Sequence, residues 1–276
     1  MKLIYVNEDL IKTINITFID VCNYINTLSD YKKIGQGTYC NCYQINTNFV
    51  LKVYTRENIY DTENECLISE IQTEIDFIKE YNNLPYIAYT YFILDDNNHN
   101  IYILQELLEI KRITNLIYDE FLLNIKYFIK LLDINIKLLK LNIVNIDIKP
   151  TNVGFDKNNN LKIFDFNLLE KIDNLNQKIN LYNKYDFYYL HCVNYIMVKN
   201  TISYSIAILI LESFSNTNEC NVYLYTPKNL QSSKYILLNN KKKILPPYLY
   251  KLLYTCFQGN CTPMMLLERL LLLYNK

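Results

Sequence analysis

Tryptophan is absent from the 276 residues, and glycine and histidine are scarce, at four and two. With only two histidines, and no Cys-x-x-Cys pair among eight cysteines, zinc sites of the usual Cys/His spacing are excluded. Cysteines so placed in a chain this long imply reduced, mostly buried thiols, hence a cytoplasmic protein. Net charge is missing as well. The 28 basic residues match 28 acidic ones, so no bulk field draws the chain to nucleic acid or to a membrane surface. The longest apolar run, near "YSIAILILESF", falls well short of the ~20 residues that span a bilayer. Glu8 and Asp9 interrupt the N-terminus too early for a signal-peptide core. These absences predict no nucleic-acid partner and no membrane span, and they leave the oligomeric state open.

What is present is apolar and strongly biased. Half of the residues are hydrophobic and 27 are tyrosine, enough for a sizeable core. Heavy use of Ile, Asn, Lys and Tyr with little Gly indicates AT-rich coding. In such a chain an Asn within a motif is weak evidence and a Gly is strong evidence. Apolar spacing predicts a leading helix over 13–30. From Tyr31, "YKKIGQGTYCNCYQI" and "TNFVLKVY" alternate and predict three short strands, the first turn holding Gly35 and Gly37. Leu67, Ile71, Ile75 and Ile78 predict an amphipathic helix over 62–82 with an acidic start. Strands "YIAYTYFILDD" and "IYILQELLEI" follow, then a long helix, 118–141, and the strand "LKIFDFNLLE". Helices are expected at 185–198, 201–214, 247–256 and 263–274, with irregular chain over 215–245. Strands first and helices after make an α+β protein of two lobes.

Four groups of residues carry chemistry. Glycines at 35 and 37 let backbone N–H groups lie close to phosphate oxygens, because no Cβ intervenes. Half of the chain's glycines sit in that turn, just before a strand carrying Lys52. Lys52 is a cation within "FVLKVY", suited to pairing with nucleotide phosphates if a carboxylate from the next helix holds it. Glu63, Glu65, Glu70 and Glu74 are available there, and periodicity does not choose between Glu70 and Glu74. In "NIVNIDIKPTNVGF", Asp147, Lys149 and Asn152 offer a base for a hydroxyl nucleophile, a cation for the transferred group and a neutral oxygen for Mg²⁺. Asp165 ends an apolar strand, where a carboxylate is costly unless paired or metal-bound. Taken singly, each has a plain alternative: a hairpin turn, a solvent-facing Lys, or loop-capping carboxylates.

Their order decides. Gly turn, strand Lys, acidic helix, Asp-x-Lys-x-x-Asn loop and strand Asp-Phe follow the protein-kinase signature set. Over about 31–275 the chain resembles a compact, divergent protein kinase, and it does so most over 145–167. The resemblance implies a β-rich N-lobe over 31–108 with one main helix and a larger helical C-lobe over 109–276, preceded by a helical extension, 1–30. It implies ATP and Mg²⁺ as cofactors and a protein substrate. Asp147 and Lys149 would be catalytic. Asn152 and Asp165 would hold the metal, and Lys52 would pair with phosphates and with Glu74. Glu106 and Leu108, in the hinge "QELLE" with Gln105 near the gatekeeper position, would meet the adenine. Lys149 points to Ser/Thr specificity, and compactness with AT-rich coding points to a large DNA virus as source.

The departures from the family are specific. Cys40 stands at the third loop glycine and Cys42 at the following Val. Asn145 and Ile146 replace His-Arg before Asp147, which removes the cation that reads a phosphorylated activation loop. Asn167 replaces the metal-loop Gly, a mild change because Asn is the non-Gly residue best able to tolerate φ > 0. No Ala-Pro-Glu appears. Asp186 resembles the structural Asp of the next large helix, and Cys261 stands where an Arg would pair the missing Glu. His99, His191, Lys241–Lys243 and the Leu-rich tail 265–273 are read as structural or solvated. Two other readings stand beside the kinase: a pseudokinase scaffold that binds nucleotide or a partner protein, and a small-molecule kinase of the aminoglycoside/choline type.

Overall fold

Period-two alternation from Lys32 onward becomes the sheet of a first unit, Met1–Glu109 with Gly154–Leu168. The computed structural model describes residues 1–37, 39–61, 66–96, 98–111, 113–174, 178–179, 196–197, 199–223 and 230–275. Six antiparallel strands form the sheet: β1 (Lys2–Val6), β2 (Lys32–Gln36), β3 (Cys40–Gln44), β4 (Phe49–Tyr54), β7 (Thr90–Asp95) and β8 (Ile101–Glu106). Their spatial order is β1-β7-β8-β4-β3-β2, and a short pair, β5 (Tyr60–Asp61) with β6 (Cys66–Leu67), lies outside it. Side chains of β4 alternate between faces. Phe49, Leu51 and Val53 enter a core cluster with Ile16, Val21, Tyr91, Phe92 and Leu104. Lys52 and Tyr54 take the other face, where both contact Glu74.

The first 30 residues differ from the single helix expected. They form β1, α1 (Glu8–Ile14), α2 (Phe18–Asn26) and a 3₁₀ turn, Leu28–Asp30. Asn15, at φ 52°, ends α1 in the left-handed region, and Thr17 with Asp20 caps α2 reciprocally. They are not an appendage. Strand β1 pairs with β7, and Ile16 and Val21 are core, so the segment belongs to the unit. After the short α3 (Arg56–Ile59), α4 (Ser69–Tyr81) buries Ile71, Glu74, Ile75, Phe77 and Ile78. It starts later than the expected 62–82 because Leu67 is in β6, while residues 62–65 lie outside the described residues.

Two hairpins are built alike. In the turn after β7, Asp96 Oδ1 accepts from the N–H groups of Asn98 and Asn100, with His99 at φ 61°. Between β10 (Val153–Phe155) and β11 (Leu161–Ile163), Asp156 does the same for Asn158 and Asn160, with Asn159 at φ 61°. A bridge between Glu109 and Phe155 and another between Ile87 and Ile163 tie this second hairpin into the first unit. The lobe boundary expected at 108/109 therefore does not match one cut in sequence, because 154–168 returns to the earlier residues.

Helices make most of the second unit, Ile110–Val153 with Leu169–Lys276. They are α5 (Tyr118–Leu139), α6 (Asn200–Ser213), α7 (Thr217–Tyr223), α8 (Leu230–Asn240), α9 (Pro247–Phe257) and α10 (Pro263–Tyr274). Strand β9 (Ile143–Asn145) pairs with β12 (Leu169–Lys171), and β13 (Lys178–Ile179) with β14 (Ile196–Met197). Every residue of α6 is buried, its polar Asn200, Thr201, Ser203, Ser205, Glu212 and Ser213 included. Helices α7 and α8 occupy 215–245, where irregular chain was expected. A buried charge hid α8's inner face, since Lys234 donates to the Tyr204 hydroxyl at 2.7 Å. The expected helix 185–198 meets β14 at 196–197, and the rest of it, with Asp186 and His191, lies outside the described residues. With the six-stranded sheet in one unit and the longer helices mostly in the other, the fold is α+β and two-lobed. Among the described residues no helix is long and apolar enough to cross a membrane.

Candidate active site

Strand register delivers Lys52. In β4 it lies opposite Cys42 on one side and Ile103 on the other, and it is 4 % exposed. Its Nζ sits 2.7 Å from Glu74 Oε1 and 3.3 Å from Asp165 Oδ1. The choice between Glu70 and Glu74 is thereby made. Glu74 is fully buried on the inner face of α4, whereas Glu70 accepts from the adjacent Ser69 hydroxyl at the surface. Burial disfavours the Lys52 ammonium, but Glu74, then Tyr54 and Asp165, outweigh it and hold its pKa well above the ordinary lysine value. Lys52 is therefore charged.

Asp165 follows β11 at φ 66°, and its side chain is 30 % exposed. Within this loop Asp165, and not Asn167, takes the left-handed backbone. Phe166 is buried against Phe77 of α4, with ring centroids 4.8 Å apart. Asn167 Oδ1 is buried with no hydrogen-bond partner among the described residues.

Gly35 and Gly37 flank the turn from β2 to β3, and Thr38 lies outside the described residues. A Cβ on Gly35 would meet Cys42 Cβ at 3.7 Å, and one on Gly37 would meet Cys40 Sγ at 3.6 Å, both ordinary contacts. Neither glycine has a positive φ. The chain's own packing thus has no need of glycine at either position, and what the pair provides is bare backbone. The neighbouring Cys42 thiol, with burial, pushes the Cys40 thiol up, and Cys40 in turn holds the Cys42 thiol down.

At the other end of β8, Glu106 is engaged within the fold. Its carboxylate accepts from Lys162 Nζ at 2.5 Å and from the Tyr89 N–H at 2.7 Å. Burial pushes its pKa up in spite of these bonds. Leu107 and Glu109 spend their N–H groups on Asn48 and Phe155, whereas the Leu108 N–H makes no backbone bond among the described residues. Gln105 is buried and donates to Thr90 at 2.8 Å.

Asp147, Lys149 and Asn152 come together within the second unit. Asp147, 4 % exposed, accepts from Lys149 Nζ at 2.6 Å and from Asn152 Nδ2 at 2.7 Å through Oδ2. Asn152 Nδ2 also reaches the Asp147 carbonyl at 3.2 Å, so its amide hydrogens are committed and its oxygen is what remains to offer. The two departures before Asp147 acquire roles. Asn145 Oδ1 accepts from the Asp147 N–H at 3.1 Å and pins the loop, while Ile146 is buried apolar core.

Tyr54, Asn145 and Lys162 are the contributors that sequence reasoning passed over. Tyr54 was findable, because two residues beyond Lys52 on a strand is the same face. Cys261 is buried, within reach of the Thr262 carbonyl.

Comparison with curated proteins finds no match. The protein kinase domain family, however, matches residues 28–222, well over half of the chain and inclusive of Lys52, Glu74, Asp147, Asn152 and Asp165. Order, geometry and match agree, and the chain belongs to the protein kinase family.

Proposed function

We propose that the protein transfers the γ-phosphate of ATP, with Mg²⁺, to serine or threonine hydroxyls of protein substrates, without activation-loop phosphorylation. The observation that carries this reading is the buried Lys52 held by Glu74 at 2.7 Å and Asp165 at 3.3 Å, charged and fixed for phosphate oxygens. The donor chemistry fits the cofactors. Asp165 in the first unit and Asn152 in the second each offer a hard oxygen, as Mg²⁺ requires. Asn167 Oδ1, without a hydrogen-bond partner among the described residues, adds a further oxygen. The bare backbone at Gly35 and Gly37 suits phosphate, and the Leu108 N–H, without a backbone bond among the described residues, suits a base edge together with the Glu106 carbonyl.

ATP supplies the phosphoryl group and Mg²⁺ screens its charge. The residues position and move protons. Asp147 orients the substrate hydroxyl and accepts its proton, while Lys149 balances charge beside Asp147 and Asn152 holds the loop in shape. Ile146 leaves no cation to read a phosphorylated activation segment, so activity belongs to the unmodified chain.

The test is radiolabelled γ-phosphate transfer to generic basic and acidic proteins by wild type, Asp147→Asn and Lys52→Ala. Wild type is expected to label Ser or Thr, and Asp147→Asn to lose about 10²–10⁴-fold in rate while still binding nucleotide. Tight nucleotide binding by wild type with no transfer to any protein would make the chain a pseudokinase. Labelling of a small alcohol alone would make it a small-molecule kinase.

A further inference from the structure

Glu74 has two partners. Oε1 faces Lys52, and Oε2 accepts from the Tyr54 hydroxyl at 2.5 Å. Glu74 is fully buried and Tyr54 is 1 % exposed, so no water replaces either contact. Tyr54 lies two residues past Lys52 on β4, opposite Cys40 on β3 and Ile101 on β8, and its ring also packs 5.6 Å from the Lys52 ammonium. Burial and the Glu74 charge push the phenol well above its ordinary pKa, which keeps the hydroxyl a donor.

A cation bound to one carboxylate oxygen leaves the carboxylate free to turn about that contact. A second, directional bond to the other oxygen fixes its plane. The apolar contacts of α4, through Ile71, Ile75, Phe77 and Ile78, resist separation from the sheet but are non-directional and do not set the angle of Glu74. We propose that Tyr54 is a positioning residue: its hydroxyl locks Glu74 in the orientation that holds Lys52, keeping α4 docked by a contact internal to the first unit. The proposal rests on the reading of Lys52 as a phosphate ligand. It supplies the reason activation-segment phosphorylation is dispensable, since the clamp is built into β4.

The variant is Tyr54→Phe, which retains the ring and removes only the hydroxyl. Four readouts are combined: ATP affinity by calorimetry, KM against kcat, melting temperature, and backbone hydrogen exchange over 69–81. Losing one bond to a buried charge predicts a rise of about tenfold in both the ATP Kd and KM. Faster exchange is expected in 69–81 relative to the rest of the sheet. Tyr54→Phe added to Glu74→Gln is expected to cost little more than Glu74→Gln alone, because the two act as one device. A lower melting temperature with ATP Kd, KM and exchange over 69–81 all unchanged would reduce Tyr54 to packing and overturn the proposal. So would full additivity of the two substitutions. If wild type neither binds ATP nor transfers phosphate, the phosphoryl-transfer reading fails on its own, and exchange over 69–81 still decides the clamp.

Discussion

Asparagine does at single positions what glycine does elsewhere. Only Gly259, at φ 71°, is a described glycine in the left-handed region, while Asn15, Asn115, Asn142 and Asn159 take it with φ between 52° and 61°. Asn is the ordinary side chain best suited to that region, so a chain with four glycines can still turn. The Asp-x-Asn-x-Asn turns belong to the same economy, and one of them titrates usefully. Burial pushes the Asp96 carboxyl up, but hydrogen bonds from Asn100, Asn98 and Tyr102 outweigh it and hold the pKa below the ordinary aspartate value. A carboxyl lowered on folding contributes stability above its unfolded pKa, and that contribution fades as pH falls through the folded value. Asp96→Asn is therefore expected to melt below wild type at pH 7, with the gap closing only at a pH below the ordinary aspartate value. A gap of equal size at both pH values would mean that the charge plays no part.

Among the elements, β10 is tightly constrained by its neighbours at Gly154. A Cβ on Gly154 would stand 2.7 Å from Leu108 Cβ and 3.2 Å from the Glu109 carbonyl oxygen. Neither obstacle is the free end of a flexible side chain, so the strand or the 106–109 segment has to move. Gly154→Ala is expected to cost about 1–3 kcal/mol, as overpacking does. Because the displaced segment carries Leu108, the ATP KM is expected to rise as well. The denaturant midpoint and KM check both, and a wild-type midpoint would show that the strand relaxes at no cost. Sequence reasoning placed a catalytic loop around Gly154 but had no access to this contact, since Leu108 lies 46 residues away in the chain.

At the scale of the whole molecule, each unit is closed by residues remote in sequence. Strand β1 covers the edge of β7, and Ile16 and Val21 complete the core behind β4. Deleting residues 1–30 would expose that core and leave β7 as an unpaired edge strand. The truncated chain is expected to aggregate or to lose its cooperative melt. A soluble 31–276 fragment with the wild-type melting temperature would restore the separate extension, 1–30, that the resemblance implies. The second unit is organised around α6, which is buried on every side although it carries Asn200, Ser203 and Glu212.

The family and the two classes of element are legible in the chain alone, and so are the residues proposed for the site. Those signals are local: a glycine pair ahead of a strand lysine, carboxylates at loop and strand ends, and apolar period. Tertiary structure decided what depends on contacts across the chain. It chose Glu74 over Glu70, because only the inner face of α4 reaches Lys52. It joined 154–168 to the first unit, turned the leading segment into a strand and two helices, and put the left-handed backbone at Asp165. It also brought Tyr54 to the second oxygen of Glu74, a bond that alternation permits but only the docked helix makes. Periodicity fixes which face a side chain takes, whereas packing fixes what it meets there.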